Sequence, residues 1–324
     1  MQKGYLLLLL IGCLGLGSLA AQQPGQYSLY FLDPVQFNPA YAGLDNSLSV
    51  TGTIRSQWTS LSGAPQSQRI SAHLPIYRLS GGFGIEAEQD ELGARRFSRV
   101  GLSYNYQLVR GSSVWSFGLS ARMQQLRLDG DLLRTPEGEY DEGGPIIHND
   151  ALLGTGIFNA TQYSFGAGIY YQAERLEGGL AVQNLNQPAL TLEALTWSVL
   201  PTYTAYIRTR LDAFGDWVLY PSLMVRSDGV QTQAEISAVL QQNDNIFLGA
   251  SFRGYNAEST DAVIILAGLN VSPKISIAYA YDISLSALRS VNDGSHELTV
   301  KYNLRQRIGA GTPPPIIYYP RTKE

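Results

Sequence analysis

The sequence predicts an all-β fold, a transmembrane antiparallel β-barrel of about 14 strands with an N-terminal plug or strap segment. Two observations predict it. From about Leu48 to Leu304 the chain repeats runs of roughly ten residues in which every second side chain is apolar or aromatic, each run closed by a turn. After residue 21 no stretch is apolar and long enough for a membrane helix, so a membrane span has to be built from strands.

Composition agrees with a single sheet-built unit. Among 324 residues there are 33 Gly and 20 Tyr but only 23 Lys plus Arg and 27 Asp plus Glu, a formal net charge of -4. No dense basic face is available for phosphate groups, which excludes a nucleic-acid partner. Mean hydropathy is near zero, as expected when half of each strand faces lipid and half faces water.

Residues 1–21 read as a signal peptide: Lys3, an apolar body over Leu6–Ile11 and Leu14–Leu19, and the small-x-small site Ser18-Leu19-Ala20 before Ala21 and Gln22. The single cysteine, Cys13, falls inside it, so the mature chain has no disulfide or thiolate ligand. Leu10-Ile11-Gly12-Cys13 also resembles a lipoprotein processing box, which would instead leave Cys13 lipidated. Residues 22–47, rich in Tyr, Phe, Pro and Asn, form the N-terminal plug or periplasmic strap, 48–305 the outer-membrane barrel, and 306–324 a Pro-rich C-terminal periplasmic tail around Pro313-Pro314-Pro315.

Strands are predicted at 48–58, 66–74, 81–90, 97–108, 114–126, 161–172, 176–185, 201–212, 217–227, 230–241, 245–255, 260–271, 274–284 and 295–305. Val100, Leu102, Tyr104, Tyr106 and Leu108 share one face; so do Trp115, Phe117, Leu119, Ala121 and Met123, and Leu298, Val300, Tyr302 and Leu304. These faces meet hydrocarbon, and their alternates line a polar lumen. An even strand number puts both termini on the periplasmic side. The odd connections, centred on Ser62, Leu92, Tyr140, Glu193, Asp228, Ser259 and Val291, are then exterior and mostly longer than the even ones, with Ser227-Asp228-Gly229 a short exception. Trp58, Tyr77, Tyr104, Tyr106, Trp115, Tyr170, Tyr171, Trp197, Trp217, Tyr220, Tyr255, Tyr279 and Tyr281 are candidates for two interfacial girdles. The 127–160 connection is acidic, with spacings that match no calcium-loop template.

Before the first strand, Tyr30-Phe31-Leu32-Asp33-Pro34-Val35-Gln36-Phe37-Asn38-Pro39-Ala40-Tyr41-Ala42-Gly43 closely resembles the opening signature of the PorP/SprF family, outer-membrane proteins of the type IX secretion and gliding machinery of the Bacteroidota. Arg55-Ser56-Gln57-Trp58, Gly63-Ala64-Pro65 and Gln68 continue the likeness. Asp33 stands where the family usually has Asn. The resemblance implies a non-enzymatic component of protein secretion and gliding motility. It would anchor an exported surface protein at the cell surface, through that protein's C-terminal domain, or couple to a periplasmic lipoprotein or peptidoglycan-associated partner. Phe31, Phe37, Asn38, Pro39, Tyr41, Gly43 and Trp58 are the plug or partner candidates. The aromatic ones have no hydrocarbon outside the wall to bury in, Pro39 restricts Asn38 to extended backbone, and Gly43 permits a bend into the first strand.

No catalytic residue, cofactor or metal site is expected. His73, His148 and His296 lack metal-ligand spacing, there is no Gly-x-Ser-x-Gly elbow, and His73 reads as a girdle or loop residue. Gly81-Gly82-Phe83-Gly84 and Gly166-Ala167-Gly168 read as slim strand positions on a curved wall. The alternative function is an outer-membrane channel or porin for small solutes, with Arg122, Arg208, Arg210, Lys301 and Arg305 lining a conducting lumen.

Overall fold

Alternating side chains and closely spaced turns fold into fourteen antiparallel strands that close on themselves. The computed structural model describes residues 25–306, apart from 142–143, 151–152, 193–194, 244 and 257–258. The expected signal peptide with Cys13, residues 22–24 and the tail from 307 onward lie outside the described residues.

The strands are β1 (Ser49–Ser56), β2 (Gln66–Ile76), β3 (Gly81–Leu92), β4 (Arg95–Arg110), β5 (Ser113–Asp129), β6 (Ile157–Gln172) and β7 (Leu176–Gln183). They continue as β8 (Thr202–Thr209), β9 (Trp217–Ser227), β10 (Thr232–Gln242), β11 (Ile246–Arg253), β12 (Ala262–Ser272), β13 (Ile275–Ser284) and β14 (Ser295–Asn303). Each pairs with its successor, and β14 returns to β1 with Asn303 opposite Ser49 and His296 opposite Ser56. Closure removes the sheet edges that hydrocarbon could not solvate.

The alternation has the expected sense. Leu119, Tyr163 and Leu180 point outward and are 68%, 64% and 63% exposed, while Ser120, Ser164 and Ala181 beside them are buried inside. On β4 the outward band Val100, Leu102, Tyr104, Tyr106, Leu108 is bounded by Arg96 and Arg110, which places the hydrocarbon layer between two charged levels. Trp115 and Tyr171 meet at 4.8 Å at one rim, and Tyr281 meets His296 at 5.0 Å near the other.

Four expectations are corrected. β3 and β4 extend until only Gly93-Ala94 separates them, so the connection centred on Leu92 is a tight turn, made by Gly93 at φ 55°. The connection after β7 holds its own small hairpin, Ala189–Leu192 with Leu195–Ser198. Tyr170 and Tyr220 are not girdle residues: Tyr170 is fully buried and stacks on Tyr206 at 6.5 Å, while Tyr220 lies under the Arg208 guanidinium at 4.4 Å, both inside the ring. Finally, the lumen is not polar throughout. β12 reads Ala-Val-Ile-Ile-Leu-Ala-Gly-Leu, and its inward Ile264 and Leu266 are as buried as any core residue. Met224, Val239, Phe247, Ala278 and Ala280 extend this apolar sector around the inner wall.

A charge placed in the outward band should be costly. Leu119→Arg is expected to destabilise the barrel by about 2–4 kcal/mol, whereas Gln125→Arg, one level beyond the band, should be close to neutral; urea unfolding in phospholipid vesicles reads the difference.

Candidate functional site

Residues 25–47 run through the inside of the ring as three short 3-10 turns, Tyr30–Leu32, Pro34–Gln36 and Pro39–Tyr41. Turns of this kind suit a segment with Pro34 and Pro39 at their starts, since each proline sits where no helical N–H is needed. Its side chains are buried against opposite sides of the inner wall. Phe37 meets Tyr206 of β8 at 5.2 Å, Phe31 meets Phe247 of β11 at 6.4 Å, and Tyr41 meets Tyr170 of β6 at 5.1 Å. Tyr30, absent from the candidates drawn from sequence, is fully buried and bonds the hydroxyls of Ser237 at 3.0 Å and Ser222 at 3.3 Å.

The wall makes room for this segment with glycine. A Cβ on Gly82 would overlap the Ala42 carbonyl, one on Gly118 would overlap the Ala40 backbone, and one on Gly168 would overlap the Asn38 side chain. Bare backbone at Gly168 and Gly179 lets the Asn38 amide donate to the carbonyls of Ile169 at 3.0 Å and Leu180 at 3.3 Å, while its oxygen accepts the Ala40 N–H at 3.0 Å. The slim positions in β3 and β6 therefore answer to close approach by the leading segment, not to wall curvature alone. Asn105 completes the seat, donating to the carbonyls of Ala40 at 2.8 Å and Ala42 at 2.6 Å. Gly43 turns the chain at φ 77°, and a side chain there would also press on the Leu74 carbonyl.

Two buried charge clusters hold the segment from the polar side. In the first, Arg69 pairs with Glu86 at 2.6 Å and Glu88 at 3.0 Å, with Arg99 and Arg122 against the same carboxylates. Asp33 joins it, accepting from Ser71 Oγ at 2.8 Å and lying 3.4 Å from Arg69 Nε. Three carboxylates thus meet three guanidiniums, and Asp33 closes the balance. In the second, Arg55 pairs with Asp282 at 2.7 Å and Glu297 at 3.0 Å, and Arg253 with Glu235 at 2.8 Å and Asp282 at 3.0 Å. The leading segment supplies donors to this set: Ser28 N–H at 2.7 Å and Leu29 N–H at 2.9 Å to Glu297, and Ser28 Oγ at 2.8 Å to Asp282.

A third anchor lies lower in the ring. Asp45 pairs with Lys301 Nζ at 2.8 Å and accepts from Tyr41 OH at 2.8 Å and Ser49 Oγ at 2.6 Å. His73 accepts the Gly43 N–H at 3.0 Å, so it is an inner-wall residue rather than a girdle or loop residue. His148 bonds Tyr140 and His296 bonds Tyr279, each in a different place, and among the described residues no three His, Cys, Asp or Glu are arranged to hold a metal ion.

Of the candidates drawn from sequence, Phe31, Phe37, Asn38, Pro39, Tyr41 and Gly43 come together inside the ring. Trp58 does not join them. It lines a cavity of about 580 Å³ at the mouth formed by the connections after β1, β9 and β11, with Gly25, Gln26, Arg95 and Tyr255. Gly25 therefore stands at that mouth, whereas β1 begins and Gln306 bonds Ser47 at the other. Between these points the leading segment traverses the barrel; the chain ends themselves, and with them the expectation that both lie on the periplasmic side, fall outside the described residues. Arg122, Arg208, Arg210 and Lys301, expected to line a channel, are engaged through their side chains. Arg122 pairs with Glu86, Arg208 with Glu177 at 3.4 Å, Arg210 with Asp212 at 3.4 Å and Lys301 with Asp45, while the Arg305 N–H bonds Asn303 at 2.8 Å.

Two substitutions test this construction. Arg253→Met strands Glu235 without its guanidinium, leaves Asp282 with Arg55 alone, and is expected to cost about 3–5 kcal/mol of stability by thermal or urea unfolding. Gly168→Leu, whose side chain needs the space held by Asn38, is expected to leave the barrel strands intact by circular dichroism while making residues 36–44 accessible to limited proteolysis.

A sequence profile described as type IX secretion system membrane protein PorP/SprF matches residues 19–302. No curated protein matches the chain in sequence. Among solved structures, the Acinetobacter baumannii outer membrane protein Omp33 is similar at 7% identity and a TM-score of 0.47, covering 80% of this chain and 98% of its own. A Pseudomonas aeruginosa FadL homologue is similar at 12% identity and a TM-score of 0.44, covering 83% and 93%. The CymD monoaromatic hydrocarbon channel is similar at 10% identity and a TM-score of 0.46, covering 86% and 94%.

Proposed function

The chain belongs to the PorP/SprF family of type IX secretion system membrane proteins, and on that premise we propose that it is a closed outer-membrane scaffold. It anchors an exported surface protein or couples to periplasmic machinery, and it does not conduct solutes. The observation that carries this reading is the leading segment, whose aromatic, polar and charged contacts reach opposite sides of the inner wall. A solute path would have to break buried ion pairs and expose Ile264, Leu266 and Phe247 to water, both costly. Binding then falls to the two mouths. The mouth with the longer connections and the acidic loop faces the cell exterior and meets exported protein; the mouth of tight turns faces the periplasm. In this orientation Gly25 stands at the exterior mouth and Gln306 at the periplasmic one.

Planar-bilayer conductance of the purified barrel tests the proposal. The unaltered protein should be silent, and Gly118→Val, which overlaps the Ala40 backbone, should give open events. A steady pore in the unaltered protein would instead establish a channel.

A further inference from the structure

β6 is longer than the neighbour that should cover it. Its ladder with β5 is complete, from Asp129 opposite Ile157 to Val114 opposite Gln172, but its ladder with β7 runs only from Ala167 opposite Val182 to Gln172 opposite Glu177. β7 departs because Asn184 and Gln187 adopt left-handed backbone, at φ 57° and 44°, which asparagine in particular tolerates. The last contacts are the Leu185 N–H to the Phe165 carbonyl at 2.9 Å and the Asn186 side chain, which accepts from Phe165 N–H at 3.1 Å and donates to the Tyr163 carbonyl at 2.9 Å. Odd-numbered residues of β6 therefore turn their backbone groups to this side. Beyond Tyr163, no backbone partner is found among the described residues for Ile157, Asn159 and Thr161 on that edge.

The open stretch lies in water. Across the β5 ladder Thr161 is level with Gln125 and Asn159 with Arg127, both outward and polar, whereas Tyr163 is level with outward Met123, where the apolar band ends. The strand Ala189–Leu192 lies beside β6 but forms no ladder with it: it pairs with Leu195–Ser198 in a separate sheet, and its Leu190 packs on the inner face against Leu126 and Ala160. Exposed edges are usually guarded by lysine, proline or a bulge, and Ile157-Phe158-Asn159-Ala160-Thr161 has no lysine or proline.

We propose that this β6 edge, Ile157–Thr161, is a docking site for an extended strand of an exported partner, which adds to the sheet by backbone pairing. A second copy of the chain is a poor occupant. All copies inserted in one membrane send β6 in the same direction, so two such edges cannot meet as the antiparallel pair that this strand forms with β5. The neighbouring connection, residues 130–156, carries Asp131, Glu137, Glu139, Asp141, Glu142 and Asp150 against Arg134 as its one Lys or Arg. A strand flanked by lysine or arginine therefore matches the site in both backbone and charge. Only the source of the strand rests on the scaffold function proposed above; the edge itself is tested separately.

The test uses the full-length barrel in detergent micelles and a synthetic peptide of alternating threonine and valine flanked by lysines. Hydrogen exchange of the barrel alone should show fast amides at Asn159 and Thr161 and slow ones at Ala160 and Gln162. The peptide should slow the first pair, and Thr161→Pro or Asn159→Pro, substitutions an edge strand tolerates, should weaken it about tenfold while the barrel stays folded. Slow exchange of Asn159 and Thr161 without peptide would overturn the proposal. So would equal binding to the proline variants, or equal binding of a proline-substituted peptide, which reports attraction to the acidic loop alone. A conducting barrel that still passes this test would refute the closed scaffold and leave the docking edge standing.

Discussion

Ionised side chains sealed inside a protein must be paired, and this constraint organises the barrel. Arg55, Arg69, Arg122 and Arg253 are all buried within the ring, each against carboxylates on neighbouring strands or on the leading segment. Desolvated charges of this kind are costly to leave alone and tolerable when every partner is present. The leading segment contributes Asp33 to one cluster, backbone N–H groups to the second and Asp45 to the third, so wall and segment are mutually dependent. The apolar sector acts in parallel: Ile264 and Leu266 would face an aqueous bore if Tyr30, Phe31 and Leu32 were elsewhere.

Much of the wall was legible because a period of two is hard to mistake over ten or more residues. Fourteen strands, their outward faces and most turns follow from it, and the β4 and β5 faces stand as read. The misplacements have local causes. Parity assigns Tyr170 to the same side as Gly166 and Gly168, so its inward position was present in the pattern, but the abundance of aromatic residues near strand ends favoured a girdle. Within the wall, the continuous apolar run in β12 was a sequence sign that something dry lies inside the ring.

The candidate site was half legible. The aromatic and proline-rich run 30–43 stood out because it had no lipid to bury in, but its anchors did not. Glu88 faces both Arg69 and Arg99 across adjacent ladders, and Glu86 reaches Arg122 over the missing side chain of Gly101; such pairs emerge only once the register is known. The direction of the segment was likewise hidden. Counting strands fixes where β1 starts, yet the residues before it cross the ring, and only the contacts of Gly25 and Ser28 with the far mouth reveal this.

A family placement and a filled ring together point to function at the rims rather than through the centre. Thiol labelling tests the filled ring most directly, because Cys13 is the only cysteine and a Cys13→Ala background has no competing thiol. With Ala40→Cys as the single thiol, a lumen occupied by the leading segment predicts no reaction with a small maleimide in the folded barrel, from either side of the membrane, and full reaction after unfolding. Labelling of the folded protein at the rate of an exposed control such as Gly111→Cys would contradict it.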